Sequence, residues 1–423
     1  MQKFTIIFLV IASVILTADY YFYSATKSLV NTWAWGRGIT IGFWFTTFIL
    51  LAGFGAGYFM YMSGTPISGK TRGVLMGLMF ILFVPRLFAL VIFVLDDIIR
   101  LGKYLFSFLS SGYIKGATPE GINRSKFLQI TGLGVFGFFI SAFTYGVFKG
   151  GYNYNVLTNK LKLPQLPKEF EGLKIVQISD LHVGSFFSTK PLEEAIEIIN
   201  DQNADLIFFT GDLVNEISEE AVPFIPVLKK MKAKIGIYSI LGNHDYGDYY
   251  YDKKSPDLAA NKKHNKDLMK SIHKESGFNL LLDESVQLER GGEELSIIGI
   301  ENWGKKAGFP KYGKMENAVK GTDNSKVKLL LSHDPSHWDA QVRTEYKDID
   351  VTFSGHTHGM QFGIEIPRFI KWSPVMYLYK QWAGLYEADS QKIYVNRGLG
   401  FIGYPGRVGI SPEISVFELT SEG

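Results

Sequence analysis

The sequence predicts two dissimilar parts in one chain. The first is an N-terminal α-helical unit of four transmembrane helices. The second is a C-terminal α/β domain, a β-sandwich flanked by helices in four layers (α/β/β/α). Three observations predict this. The first 150 of 423 residues hold only four acids, Asp19, Asp96, Asp97 and Glu120. Four long apolar runs fill the same region. From Leu173 onward short apolar strands alternate with helical stretches and then give way to a strand-rich end.

The apolar runs extend over Phe4–Leu16, Ile39–Met62, Val74–Leu95 and Phe127–Phe148. Runs two to four are long enough to cross a bilayer as helices. Soluble helices of this length carry a polar stripe, and these do not. Run one is short for a span, but Tyr20, Tyr21 and Phe22 follow it and suit a membrane interface. A cleaved signal peptide is the alternative; a retained helix is favoured because no small-residue cleavage site follows. Arg86 lies within run three, next to Pro85. An ionisable group inside a membrane calls for a partner, so a kinked helix with Arg86 turned inward is expected, with Asp96 or Asp97 as that partner.

Basic residues set the expected topology. Lys27, Arg37, Arg100, Lys103, Lys115, Arg124 and Lys126 fall on one side, against Lys3, Lys70 and Arg72 on the other. The basic-rich side faces the cytoplasm. Both termini and the α/β domain are then extracytoplasmic, at an inner or plasma membrane. The segment from Asn123 to Leu128 also looks like the n-region of an export signal. Residues 151–171, with Pro164, Pro167, Lys160, Lys162 and Lys168, read as a wet linker. The domain plan is therefore 1–150, 151–171 and 172–423.

Composition removes several function classes. There is no cysteine, which excludes disulfides, thiolate metal sites, Fe–S clusters and thiol catalysis. A net charge of +3 is too small to argue for nucleic acid. No Walker loop, Ser-His-Asp arrangement or repeat is evident.

The chemistry sits at the strand ends. Asp180 and His182 follow one strand, Gly211-Asp212 the next, and Gly242-Asn243-His244-Asp245 the third. His333 and Gly355-His356-Thr357-His358 follow later ones. Ligands collect at the carboxyl ends of strands joined by crossovers. Five of the eight histidines fall in these clusters. Asp180, His182, Asn243, His333 and the His356/His358 pair are more ligands than one ion can use. Two ions about 3.5–4 Å apart can share them if one carboxylate bridges. Oxygen and imidazole donors without thiolate suit Mn, Fe or Zn.

These five blocks resemble those of the calcineurin-like metallophosphoesterase superfamily, without a substitution, from about Leu173 to Phe417. Leu331-Ser332-His333-Asp334-Pro335 and Gly355–Gln361 are similar to a branch of membrane-associated bacterial phosphodiesterases. That branch includes enzymes cleaving the pyrophosphate of UDP-diacylglucosamine. Asn396–Gly400, Pro405, Arg407 and Pro412-Glu413-Ile414 carry the same likeness. The branch usually has Gly where Met360 stands.

The resemblance implies roles. Asp180, His182 and His358 hold one divalent ion; Asn243, His333 and His356 hold a second; Asp212 bridges. A bridging or terminal hydroxide attacks phosphorus in line, with the metals stabilising the attacking and leaving oxygens. His244 stabilises phosphoryl oxygens or protonates the leaving group, oriented by Asp245. Arg397 and Arg407 are candidates for gripping a second phosphate. The tyrosine-rich stretch Tyr246–Lys274 reads either as a lid beside the metals or as a solvated loop. Trp303–Tyr312 carries the same two readings, and its Trp303, Lys305 and Lys306 suit lipid headgroups.

The expected function is hydrolysis of a phosphodiester or pyrophosphate bond in a lipid or lipid-linked nucleotide, with a membrane and no nucleic acid as partner. The alternatives are a phosphoprotein phosphatase, a soluble nucleotide phosphodiesterase, or a membrane transporter or receptor with a non-catalytic metal module.

Overall fold

The computed structural model describes residues 2–63, 69–109, 124–306, 308–366 and 368–421. Lys115 and Asn123, used above for topology, lie outside them. The chain divides into two compact units, residues 1–147 and 148–423.

In the first unit the helices are α1 (Gln2–Val30), α2 (Gly36–Met62), α3 (Gly69–Leu82), α4 (Val84–Leu109) and α5 (Arg124–Phe148). They supply four stretches long and apolar enough to span a membrane, with α3 and α4 forming one. The break at Phe83 precedes Pro85, which has no N–H to donate and clashes with the turn before it. Helix α1 runs well past the expected end of run one. It can, because Asp19 is fully buried and paired with Arg86 rather than facing lipid.

This corrects the expected partner of Arg86. Arg86 also donates to Thr46 and, at 3.1 Å, to Thr47, and its guanidinium lies 4.4 Å from the Phe43 ring centroid. One cluster thus ties α1, α2 and α4 together. Asp96 is bonded instead to Arg100 at 2.6 Å, and Asp97 accepts from Tyr21.

The second unit is built from two six-stranded sheets. Its strands in chain order are β1 (Asn155–Lys162), β2 (Lys174–Ile178), β3 (Leu206–Phe209), β4 (Gly236–Ser239), β5 (Asn279–Leu280), β6 (Glu284–Arg290) and β7 (Glu293–Gly299). They continue with β8 (Val327–Leu331), β9 (Val351–Ser354), β10 (Ile364–Ile366), β11 (Ile370–Trp372), β12 (Gly384–Ala388), β13 (Gln391–Val395) and β14 (Glu413–Thr420). One sheet has the order β1-β14-β2-β3-β4-β5, the other β12-β13-β9-β8-β7-β6, and β10-β11 form a separate hairpin.

Strand β3 (LIFF) reads as a continuous apolar run because it lies between parallel β2 and β4 and is covered on both faces. Between the sheets lies a core of Ile175, Leu206, Phe208, Leu329, Val351 and Phe353, with the Phe208 and Phe353 rings 5.1 Å apart. A second core packs the outer face of the first sheet against helix α6 (Lys190–Asp201) through Leu192, Ala195, Ile196 and Ile199. Those four positions share one face at helical spacing. The expected layered sandwich is therefore what forms.

The segment expected as a linker is different. Residues Asn155–Lys162 form β1, which pairs in parallel with β14, the last strand of the chain. Pro164 and Pro167 come only after that strand, where no ladder hydrogen bond is lost.

Two buried histidines in this unit predict acid lability. His273 bonds Ser239 Oγ at 2.8 Å, and burial pulls it down to about 3. His337 lies 2.9 Å from Ser332 Oγ and 3.0 Å from Gln341 Oε1, and burial pulls it down to about 4. An unfolded histidine titrates near 6.5. Below that pH the unfolded chain takes up protons that the folded one refuses. Stability is then lost as pH falls from about 6.5 toward the folded values, by about 1.4 kcal/mol per unit for each histidine. Unfolding midpoints from tryptophan fluorescence between pH 7 and 5 should fall accordingly, and the slope should be shallower in His273→Gln.

Candidate active site

Every expected ligand arises at a strand end. Asp180 and His182 follow β2, Asp212 follows β3 and Asn243 follows β4; His333 follows β8, and His356 and His358 follow β9. The two sheets point these ends at one place. Close loop packing needs glycine there: a Cβ on Gly355 would lie 1.9 Å from Ser179 Oγ and 2.3 Å from Asp180 Oδ2. Asp180, His182, Asp212, His356 and His358 all adopt left-handed backbone, with φ of 52°, 44°, 58°, 73° and 52°. Such conformations cost about 1–3 kcal/mol each and persist where the surroundings over-determine them.

Two groups of donor atoms result. Asp180, His182 and His358 form one, and Asp212, His333 and His356 the other; within each, the atoms lie within 4.8 Å of one another. His182 Nε2 is 3.1 Å from His358 Nε2, and His358 Nε2 is 3.1 Å from Asp180 Oδ1. Asp212 Oδ2 touches both groups, at 3.1 Å from His333 Nε2 and 3.6 Å from His182 Nε2. Asn243 Oδ1 is 2.8 Å from His356 Nδ1.

The rings are aimed by their outer nitrogens. His182 Nδ1 donates to the Val214 carbonyl at 3.0 Å and His333 Nδ1 to the Thr210 carbonyl at 2.7 Å. Each leaves Nε2 facing inward. His356 is reversed: its Nε2 meets the Tyr379 hydroxyl at 2.9 Å, leaving Nδ1 inward. A metal-ligating histidine needs this kind of outer partner to fix its tautomer. The donor set, buried and free of thiolate, therefore fits divalent metal ions.

Electrostatics agree with that fit. Burial, then the neighbouring His358, holds His182 well below the usual histidine range. Burial also lowers His356. Both rings are thus neutral and able to donate lone pairs. His333 differs: burial opposes its charge, but Asp212 outweighs burial and holds it up at about 10.

The expected role of Asp245 changes. Its carboxylate does not meet the His244 ring. It accepts from the backbone N–H groups of Asp212, Leu213, Val214 and Gly242 at 2.8–3.2 Å. Burial and the nearby Asp212 push it up to about 7 against those donors. Asp245 thus clamps two ligand loops together. The His244 ring is oriented instead by the Asn215 carbonyl, 2.6 Å from Nδ1.

The two arginines are also placed differently. Arg397 is buried and paired with Glu413 and, at 2.5 Å, with Glu365. Arg407 is buried and donates to the Gly400, Arg397 and Gly398 carbonyls at 2.6, 2.8 and 3.1 Å. Both guanidinium groups are occupied in tying the loops after β13, so neither presents a free fork to a second phosphate. Met360 sits at φ +54°, the left-handed region that explains why glycine suits this position.

A family model described as calcineurin-like phosphoesterase matches residues 173–360. One described as probable calcineurin-like phosphoesterase, transmembrane domain, matches residues 2–151. An uncharacterized metallophosphoesterase of Bacillus subtilis, YkuE, is 31% identical over 71% of this chain and 98% of its own length. The chain belongs to the calcineurin-like phosphoesterases. Two further relatives are similar to it. One is a zebrafish (Danio rerio) transmembrane protein with metallophosphoesterase domain, 26% identical over 77% of this chain and 68% of its own. The other is an uncharacterized metallophosphoesterase of Helicobacter pylori J99, 28% identical over 67% and 69%. This calcineurin-like chain is thus membrane-linked.

Three of the phosphoesterase's site residues escaped the motif reading. Tyr379 bridges His356 to Asp334, donating to Asp334 Oδ2 at 3.3 Å. Tyr249 bonds Asn243 Nδ2 at 2.9 Å and packs 4.6 Å from the His244 ring centroid. Asn215 orients His244 through its carbonyl. Tyr249 lay in the stretch read as a lid or a loop, so a signal existed for it. Tyr379 had none, standing 23 residues from its partner. Phe309, from the Trp303–Tyr312 stretch, meets the His356 ring edge-on at 4.7 Å.

Proposed function

We propose that this chain is a two-metal phosphohydrolase that cleaves a phosphodiester or pyrophosphate bond in a lipid or lipid-linked nucleotide. The observation that carries the two-metal reading is Asp212 Oδ2 lying within reach of both histidine groups. Asp180, His182 and His358 would hold one ion, Asn243, His333 and His356 the other, with Asp212 serving both. Bound there, divalent ions supply positive charge to the attacking and leaving oxygens. His244 presents Nε2 to the substrate because Nδ1 is engaged by Asn215. Protonated, that nitrogen donates to a phosphoryl or leaving oxygen. Four spans in the same chain favour a substrate that lives in the membrane.

The test uses the full chain in phospholipid–detergent micelles, loaded in turn with Mn, Fe or Zn. A UDP-linked lipid, a soluble chromogenic diester, cyclic nucleotides and a phosphopeptide are compared. Faster cleavage of the lipid-linked bond is expected. Preference for cyclic nucleotide or phosphopeptide would overturn the substrate class, and no hydrolysis with any metal would overturn the enzyme.

Tyr379→Phe should weaken one of the two metal sites and spare the other. Losing an outer hydrogen bond to a ligating histidine costs about 10–100-fold in metal affinity. Metal titration followed by elemental analysis should show one ion held as in the parent protein and one held more weakly.

A further inference from the structure

The β10–β11 hairpin is inside out. In an antiparallel pair, alternate side chains face opposite sides, and the apolar side normally faces the protein. Here the pair that meets the protein is half-buried Glu365 and Lys371, exposed along its stem but with its ammonium 5.2 Å from the Trp382 and Tyr386 ring centroids; the two stand opposite one another in the register. Glu365 is bonded to buried Arg397, and Lys371 donates to the Ala383 carbonyl at 2.5 Å. The other face carries Ile364, Ile366 and Ile370, all exposed, and half-buried Trp372 opposite Ile364. Phe369 at the tip is 85% exposed. The turn that follows, bonded to the hairpin through Trp372 Nε1 and the Tyr377 hydroxyl at 3.4 Å, adds Tyr377, 76% exposed, and Leu378, 59% exposed.

A charged inner face and an apolar outer face make sense only if the outer surroundings are apolar. Exposed patches of this kind mark protein or membrane contacts.

Two observations favour a bilayer. Six residues, 149–154, join the end of α5 at Phe148 to β1. Fully extended they reach about 20 Å, so the chain itself tethers this unit to the membrane its helices are apolar enough to cross. Basic residues also flank the patch: Arg368 beside Phe369 at the tip, and Lys380 after the turn, both exposed. Aromatic and aliphatic groups rimmed by cations are the signature of interfacial insertion into anionic lipid.

The patch adjoins the catalytic loops. It begins two residues after His358 at exposed Met360 and ends at exposed Leu378, next to buried Tyr379, which bonds His356. Ser373, just after the hairpin, donates to the Gly359 carbonyl at 2.8 Å.

We propose that the β10–β11 hairpin and the turn after it dock on the bilayer surface and bring the metal site to lipid-embedded phosphoesters. The docking stands on the geometry above; only the nature of the delivered substrate rests on the proposed function.

The chain has no cysteine, so a single introduced thiol can be labelled specifically. Full-length F369C, carrying an environment-sensitive nitrobenzoxadiazole dye, is reconstituted in phosphatidylcholine–phosphatidylglycerol vesicles. K190C on exposed α6 is the control. The F369C label should emit to the blue of the K190C label. It should lose most of its fluorescence when phosphatidylcholine spin-labelled on the acyl chain is added, and the K190C label should not. Equal quenching at both sites, or none at 369, overturns the proposal. A blue-shifted but unquenched 369 label would place the patch against protein and also overturns it. So would energy transfer between labelled copies that replaces lipid quenching, since that would make the partner a second copy of this chain. A second measurement separates docking from substrate. Phe369→Asp combined with Tyr377→Asp should slow hydrolysis of a bilayer-embedded phosphoester and leave a soluble chromogenic diester unaffected. Lipid quenching in a protein that cleaves only soluble esters would keep the docking surface and overturn the lipid-substrate reading alone.

Discussion

Asp212→Asn is expected to leave the protein folded while lowering phosphoester turnover by about 10³-fold. Oδ1 of Asp212 accepts the His244 backbone N–H at 2.9 Å, and an asparagine oxygen can do the same. The backbone at 212 is left-handed, φ 58°, which asparagine tolerates. What the change removes is the charge on Oδ2, the atom within reach of His333 and His182. A metal's stabilisation of transition-state charge is worth several kcal/mol, which corresponds to about 10³-fold in rate. Metal content should fall from two ions per chain to one or fewer by elemental analysis. The same carboxylate, against burial, holds His333 up at about 10. His333 must therefore give up a proton to bind metal. Metal uptake near pH 7 should release that proton from the parent protein and fewer protons from the variant, measurable in weakly buffered calorimetry. If the Asp212→Asn variant keeps both ions and turns over within tenfold of the parent, Asp212 does not hold the bridging position.

The candidate metal ligands are readable because each is announced locally: an apolar strand, then Gly, Asp, Asn or His where the strand ends. The groups that hold those ligands in place are not. Asp245 stands beside His244 in sequence, and adjacency suggested that it orients that ring. The fold instead turns its carboxylate toward four backbone donors on two loops. Tyr379 is ordinary in sequence, and only the closure of the chain brings its hydroxyl to His356. Strand β1 pairs with residues more than 250 positions later, so nothing near Asn155 distinguishes it from a tether. The β10–β11 hairpin shows a further limit. Alternation in Ile364-Glu365-Ile366 reports that a strand has two unlike faces, but not which one faces in.

Arg86→Leu is expected to destabilise the membrane unit by about 3–5 kcal/mol, the cost of leaving one member of a buried pair without the other. Asp19 is fully buried, and its Oδ1 already lacks a partner among the described residues. Without Arg86 its remaining charge would face only the Thr47 hydroxyl. Asp19→Leu should cost a similar amount, because Arg86 would keep Thr46, Thr47 and the Phe43 ring but no opposite charge. The two changes should not add. A buried ion pair replaced as a whole by apolar side chains is often neutral or stabilising, and coupled neighbours depart from additivity. Asp19→Leu with Arg86→Leu should thus recover most of the loss, read as the unfolding midpoint of the full chain in nanodiscs. That result would mark the pair as a device fixing how α1, α2 and α4 pack. If each single change is instead silent in stability, the cluster does not support the fold. If the double variant is no better than either single, the two residues support the unit through contacts other than their own ion pair.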